Sequence, residues 1–137
     1  MKALSLTQPW ATLVVTGAKR FETRSWTTKY RGPLLIHAAT RFPETATEFA
    51  YAEWLIGRLP VTRELVFGAI IGRVILKDIH QTEQIASTLT DLERLYGDYT
   101  PGRWAWELED AEMFGQPIRY KGALGLFEVT LPAVGGS

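Results

Sequence analysis

The sequence predicts an α+β fold: a small, mostly antiparallel β-barrel with helices packed over one opening. Three observations carry that expectation. The 137 residues suit a single domain able to bury a sizeable core. Strand-like segments outnumber helix-like ones. Glycines such as Gly68 and Gly72 recur in strands, where sheets bend or backbones approach closely. The domain is expected over residues 1–131, followed by a disordered tail over 132–137.

Residues 2–6 read as a strand. Thr7, Gln8 and Pro9 then open a helix, because Thr can cap and Pro suits the first turn. Trp10, Leu13 and Val14 follow at helical spacing, and Gly17 stops the helix. Gln8 stands before the helix start, where polar groups and anions gather. After Gly17 the chain reads as a strand to Trp26, then as a polar loop from Thr27 to Arg31. Gly32 and Pro33 start a strand in which Leu34, Ile36 and Ala38 alternate with Leu35, His37 and Ala39, so both faces are expected to be buried. His37 reads as a core histidine with a hydrogen-bonded ring ahead of a catalytic base.

A helix is expected over 43–57, with Ala46, Phe49, Ala50 and Trp54 inward and Glu44, Glu48 and Glu53 off that stripe. A loop from Arg58 to Glu64 leads to a strand over 67–78. In it Ile70, Gly72, Val74 and Leu76 face one way, and Arg73 and Lys77 the other. Thr90 to Glu93 forms a capping box for a helix to Tyr96, with Leu92, Leu95 and Tyr96 as its apolar side. Strict alternation predicts a strand over 103–109, and a last strand is expected over 121–131.

Composition narrows the function. The absence of cysteine excludes disulfides and thiolate metal sites and fits a reducing, cytoplasmic setting. Two histidines, His37 and His80, are too few for a histidine-rich metal site. The opening Met-Lys-Ala-Leu-Ser-Leu is too short and too soon polar for a signal peptide, and Arg73 interrupts the most apolar run, so no membrane partner, metal or other cofactor is expected. Net charge is zero, yet it is segregated: Lys19, Arg20, Arg24, Lys29 and Arg31 lie together with Glu22 as the lone acid among them. That suits an anionic ligand meeting one region, though two ordinary solvated surfaces would give the same count.

The informative stretch is Gly17 to Trp26. As a strand it places Arg20, Glu22 and Arg24 on one face, against Phe21, Thr23 and Ser25, with Lys19 at its mouth. The charged face is expected to line a cleft. Lys19, Arg24 and Arg31 can hold phosphate, and Trp26 can stack on a base. Glu22 can pair with Arg20 or Arg24, or accept a hydrogen bond from an exocyclic amine. The plain alternative is an exposed ladder of charges contributing little.

Gly17-x-Lys19-x-x-Glu22-x-Arg24 resembles the GxKxxExR signature of ASCH domains. The flanks Leu4-Ser-Leu-Thr-Gln8-Pro9-Trp10, Arg24-Ser-Trp26 and Tyr30-Arg31-Gly32 resemble the ASC-1 coactivator branch, and Gly102-Arg-Trp104-Ala-Trp106 with Pro117 and Lys121-Gly122 also fits. The resemblance implies a fold like the PUA domains and a cleft between barrel and helices that binds RNA, a nucleotide or, as a further option, DNA. Gln8, Trp10, Lys19, Glu22, Arg24, Trp26 and Arg31 are the candidate nucleic-acid contacts.

The family also includes hydrolases, one acting on N4-acetylcytidine and another on RNA, which implies Lys19 and Glu22 as alternative catalytic residues. The threonine that the acetylcytidine branch carries three residues after the lysine is Glu22 here, and Thr23 falls on the other strand face. A water-based route would use Glu22 with Lys19 or Arg24, and a metal-free ribonuclease would use Lys19, His37 and Tyr30. A protein-interaction domain is a third alternative.

Overall fold

The computed structural model describes residues 1–59 and 64–131. The expected tail, and residues 60–63 of the expected loop, lie outside them. The elements are β1 (Lys2–Leu6), α1 (Trp10–Val15), β2 (Phe21–Arg24), β3 (Gly32–Ala38), α2 (Glu44–Leu55), β4 (Ala69–Gln81), α3 (Thr82–Ile85), α4 (Asp91–Leu95), β5 (Trp104–Arg119) and β6 (Leu126–Glu128), with a 3-10 turn at Ala86–Thr88. All six strands form one sheet in the order β2-β5-β4-β3-β1-β6, curled into a half-barrel with helices packed on it. The β1–β3 pairing is parallel and the others are antiparallel. The α+β class and mostly antiparallel sheet agree with the sequence.

The core is built in layers around the short helix α1. Ala11, Thr12, Leu13, Val14 and Val15 are all buried, so α1 is apolar nearly all round, as a helix embedded between layers must be. Ala11, Val14 and Val15 pack with Leu4, Leu6, Leu34, Ile36, Val74, Leu76, Trp106 and Leu108 from the sheet's inner face. On α1's other side, Leu13 joins Ala50 of α2 and Tyr96 at the end of α4. A third cluster, Ala3, Leu35, Ile70 and Val129, lies on the sheet's outer face beside Phe114, Ile118, Tyr120 and Phe127. Leu34 and Ile36 thus serve one cluster and Leu35 another, which is why β3 is apolar on both faces.

Several expectations need correction. β4 starts two residues later and ends three residues later than expected, and β5 is far longer than the alternation suggests. β5 continues past Asp110, which adopts φ 52° at a register shift opposite Val74. Asp accepts this left-handed conformation more readily than most residues, and the bulge reverses which face each later residue serves. Phe114–Pro117 bulge again opposite Ile71. A register shift in β4 also separates Ile70, in the outer cluster, from Val74 and Leu76 in the inner one. The expected strand over 121–131 shrinks to three residues, and helical turns over 82–88 appear where the pattern shows none.

Helix α2 buries Ala46, Ala50 and Glu53, while Trp54 points outward and is 38% exposed. Glu53 is inside because its charge is matched there. Arg58 Nε and Nη2 donate to its two oxygens at 2.6 and 3.0 Å, and the Tyr96 hydroxyl donates to Oε2 at 2.9 Å. The Arg58 hydrogen bond, despite opposing burial, holds the Glu53 carboxyl below its ordinary range, and burial with the Glu53 bond pushes Tyr96 up to about 12. A depressed carboxylate contributes stability that is present above its unfolded pKa and lost as pH falls through the folded value. Glu53→Gln is therefore expected to cost about 1 kcal/mol near neutral pH by weakening the buried Tyr96 bond, and to flatten the loss of stability on acidification below about pH 4.5. Urea titrations at pH 7 and pH 4 measure both; an unchanged pH dependence refutes this role.

At α4 the Thr90 hydroxyl does cap, accepting from Glu93 N–H at 3.1 Å. Glu93 does not close the expected box: its Oε1 accepts from Arg20 N–H at 2.9 Å, fastening α4 to the start of β2. Leu92 and Leu95 are exposed, and Tyr96 carries the packing.

Candidate functional site

The stretch Gly17–Trp26 forms the wall of a cleft, but its side chains divide the work differently from a simple two-faced strand. Gly17 takes φ 83°, ending α1 and reversing the chain. β2 then lies at a sheet edge, paired with β5 through Phe21–Glu107, Glu22–Trp106, Thr23–Ala105 and Arg24–Trp104.

An ion chain runs through this segment. Lys19 is only 2% exposed. Its Nζ lies 3.1 Å from Glu22 Oε1 and also donates to Phe21 O. Glu22 Oε2 lies 3.0 Å from Arg24 Nε, an ion pair without the alignment of a hydrogen bond. Arg24 Nη2 donates to Ser5 O at 2.9 Å. One carboxylate thus spaces two cations, and Arg24 is held from two sides. Among the described residues nothing pairs with Arg24 Nη1.

Two cavities meet at this wall. The first, about 300 Å³, is lined by Arg24, Ser25, Trp26, Arg103, Ser5 and Thr7 together with Trp10, Glu22 and Thr23. The second, also about 300 Å³, shares those last three and continues to Leu95, Gly97 and Asp98. Trp26 is half-buried, edge-to-face on Trp106 with ring centres 4.9 Å apart. Trp10 is half-buried against Phe49 and Tyr96, so it belongs to the core and to the cleft wall at once. Thr23 Oγ1 accepts from Asp98 N–H at 2.9 Å.

The other candidates are placed elsewhere. Gln8 is fully buried and structural: Thr12 N–H donates to its Oε1 at 3.0 Å, and its Nε2 donates to Val66 O at 2.9 Å. It takes the end-of-helix role expected of Thr7, and it lines neither cavity of the cleft. Lys19 also stands behind the cleft wall. Arg31 is turned away, donating to Thr28 O and Tyr30 O and pairing with Asp78 at 3.4 Å. Arg20 is exposed outside β2 and does not line the cleft, so Lys19 rather than Arg20 is the second partner of Glu22. His37 is the buried core histidine expected, its Nδ1 2.9 Å from Ser5 Oγ and its Nε2 2.7 Å from Tyr120 O.

Arg103 is the contributor that sequence reasoning leaves out. It stands at the entrance of β5, half-buried, with Nε donating to Asp98 O at 3.2 Å and lying 3.4 Å from Asp98 Oδ2. Thr100 donates through its hydroxyl and its N–H to Asp98, which holds that carboxyl below its ordinary range. The signal that could have found it is its position, directly after a turn and before the Trp-x-Trp alternation. Behind the wall, the buried Tyr99 hydroxyl has no hydrogen-bond partner among the described residues; burial first, and then the charges of Glu93 and Glu22, push its pKa up.

Among the described residues no group of three or more histidines and carboxylates is placed to hold a metal, and no helix is long and apolar enough to cross a membrane. The arrangement offers a braced arginine edge, a second arginine and two indoles around a narrow cleft. Chemically it can bind an anion beside a flat ring.

A model of the ASCH domain matches residues 4–118. The chain is 35% identical over 95 residues to activating signal cointegrator 1 of Homo sapiens and, to the same degree, of Mus musculus. These alignments cover 66% of this chain but only 16% of each relative, so the chain spans about a sixth of their length. Among solved structures, ASCH from Zymomonas mobilis superposes with a TM-score of 0.59 at 17% identity, covering 94% of this chain and 87% of that one. A mutant of the same Zymomonas protein gives the same TM-score and identity with 89% of that chain covered. At that identity the likeness concerns the fold.

Proposed function

Because this chain belongs to the ASCH domain family, we propose that its cleft binds single-stranded nucleic acid, RNA in the first instance, with one base held beside Trp26 and its phosphate on Arg24. The observation that carries this reading is Arg24 itself: cross-braced by Glu22 and Ser5 O, it keeps an edge free next to an indole in a cavity of nucleotide size. A pre-positioned guanidinium loses little freedom on binding and gives a two-pronged contact to phosphate. The indole accepts any base by stacking, a mode open to unpaired strands and closed to duplex interiors. Arg103, at the same rim, is a second phosphate contact.

The hydrolase alternative draws less support. Lys19 is enclosed behind Glu22, and Glu22 is committed to two cations, so neither is free to activate water as they stand. Lys19, Tyr30 and His37 line no common cavity among the described residues, and Tyr30 donates its hydroxyl to Pro33 O.

Tryptophan fluorescence titrations with a short single-stranded RNA and a duplex of equal length test the proposal across a salt series. Single strands are expected to bind more tightly, weakening as salt rises. Arg24→Ala is expected to reduce affinity about tenfold, as loss of a charge-assisted bond does, and Trp26→Ala by a similar factor through lost stacking. Binding that ignores salt, or that survives both substitutions, refutes the assignment.

A further inference from the structure

A cavity of about 650 Å³ lies outside the cleft just described and adjoins it. It is lined by His37, Phe67, Gly68, Arg119, Tyr120 and Lys121, among others, and it shares Ser5 and Ala39 with the Arg24 chamber. Ser5 joins the two chambers mechanically. Its carbonyl oxygen accepts from Arg24 Nη2 at 2.9 Å on one side, and its hydroxyl meets His37 Nδ1 at 2.9 Å on the other. The Tyr120 carbonyl can only accept, so His37 Nε2 donates to it; in the neutral ring Nδ1 is then the acceptor and the Ser5 hydroxyl the donor.

The segment after β5 forms the far wall, and it is seated on that imidazole. A Cβ on Gly122 would come within 2.7 Å of His37 Cε1 and 2.9 Å of its Nδ1, so the backbone passes tight against the ring. The wall carries Arg119 and Lys121, both exposed and without an acidic partner among the described residues, and Leu124, which is 98% exposed. No carboxylate among the described residues lines this chamber. It is therefore a largely apolar hollow with two cations on its wall that have no acidic partner among the described residues, and it shares Ser5 and Ala39 with the chamber that already offers Arg24, Arg103 and Trp26.

We propose that this chamber is a second nucleotide subsite, so that the ligand is a single strand at least two nucleotides long, crossing the Ser5–Ala39 saddle with its flanking phosphates on Arg119 and Lys121. The inference rests on the nucleic-acid reading of the first chamber and extends it to ligand length and path. The shared residues Ser5 and Ala39 make the two chambers neighbours, and the unpaired cations supply charge complementarity to a chain bearing one phosphate per residue. The apolar lining suits a base taken out of its stack.

Cytidine 5′-monophosphate and a mixed-sequence single-stranded RNA tetranucleotide separate the two chambers. Wild type is expected to bind the tetranucleotide more tightly. The double substitution Arg119→Ala with Lys121→Ala, both surface changes, is expected to weaken the tetranucleotide about tenfold and to lower its salt slope by about 0.7 for each phosphate no longer neutralised. The mononucleotide should bind this variant within about twofold of wild type, while Arg24→Ala weakens both probes. Equal wild-type affinity for the two probes, or a double variant that binds the tetranucleotide like wild type, overturns the second subsite and leaves the first standing. Failure of wild type to bind either probe overturns both.

Discussion

Glu22→Gln is expected to destabilise the protein by about 3–5 kcal/mol, the range for removing one partner of a buried pair and stranding the other charge. The cost falls on Lys19, whose side chain is 1% exposed and whose only ionic partner among the described residues is Glu22. Without the carboxylate, Nζ keeps Phe21 O and a neutral amide oxygen as acceptors but no compensating charge, and Arg24 stands close by with the same sign. Because Arg24 also loses its brace, nucleic-acid affinity should fall together with stability. Adding Lys19→Met removes the stranded charge and should recover a large part of the loss, since the two sites are coupled. Denaturant unfolding of the four members of that cycle measures it. A loss below about 1 kcal/mol for the single variant would place the pair among weak surface bridges and refute its role as the keystone of the segment.

The second large effect belongs to Gly72, in the first half of β4. A Cβ there would sit 2.4 Å from Glu112 O of β5 and 2.6 Å from Val15 Cγ1 of α1. The first obstacle is backbone in the same ladder, so relief requires separating β4 from β5. Gly72→Ala is expected to cost about 3 kcal/mol, at the upper end for overpacking. Val15→Ala in the same chain clears the methyl contact but leaves the Glu112 carbonyl and the residue 15 Cβ, 2.8 Å away, and should rescue only part. Gly115→Ala, where nothing lies within 4 Å, serves as a control expected within about 0.5 kcal/mol of wild type. Thermal unfolding of the three variants decides; a neutral Gly72→Ala would mean that the strands can part freely here.

The elements legible in the sequence are those whose pattern is local. β1, β3, α1 and the first half of β5 show clean periodicity or clear stops, and the structure has them. Gly72 is legible as a place of close approach, since a glycine inside an apolar strand pattern has few other uses. The second half of β5 is not legible, because bulges at Asp110 and at Phe114–Pro117 break the alternation and most of its side chains face water. The short strand β6 lies within a longer stretch that reads as strand, part of which forms the wall of the large cavity instead.

The site is half legible. The ion chain follows from charges two and three residues apart, but which charge goes inward does not. Lys19 is buried and Arg20 exposed because the chain turns at Gly17 and only later enters the sheet. Gln8 looks like a ligand contact because it stands before a helix start, where polar groups and anions gather, yet its amide satisfies a helix N–H and a distant carbonyl, so it costs little to bury. Glu53 and Glu93 show the same lesson: each is inside because a partner far along the chain waits there. The large cavity cannot be read at all, since it depends on residues 5, 37 and 122 converging.

β2 is an edge strand with a single neighbour, so only half of its peptide groups are locked into the ladder. What keeps it in place on its free side is a handful of side-chain ties, to Glu93, to Asp98 and along the ion chain. Local opening of this flank therefore costs less than opening the middle of the sheet, and the binding wall is the part of the sheet most able to breathe. A guest clasped by Arg24 would tie down that same margin, so that occupancy and stiffening become one event.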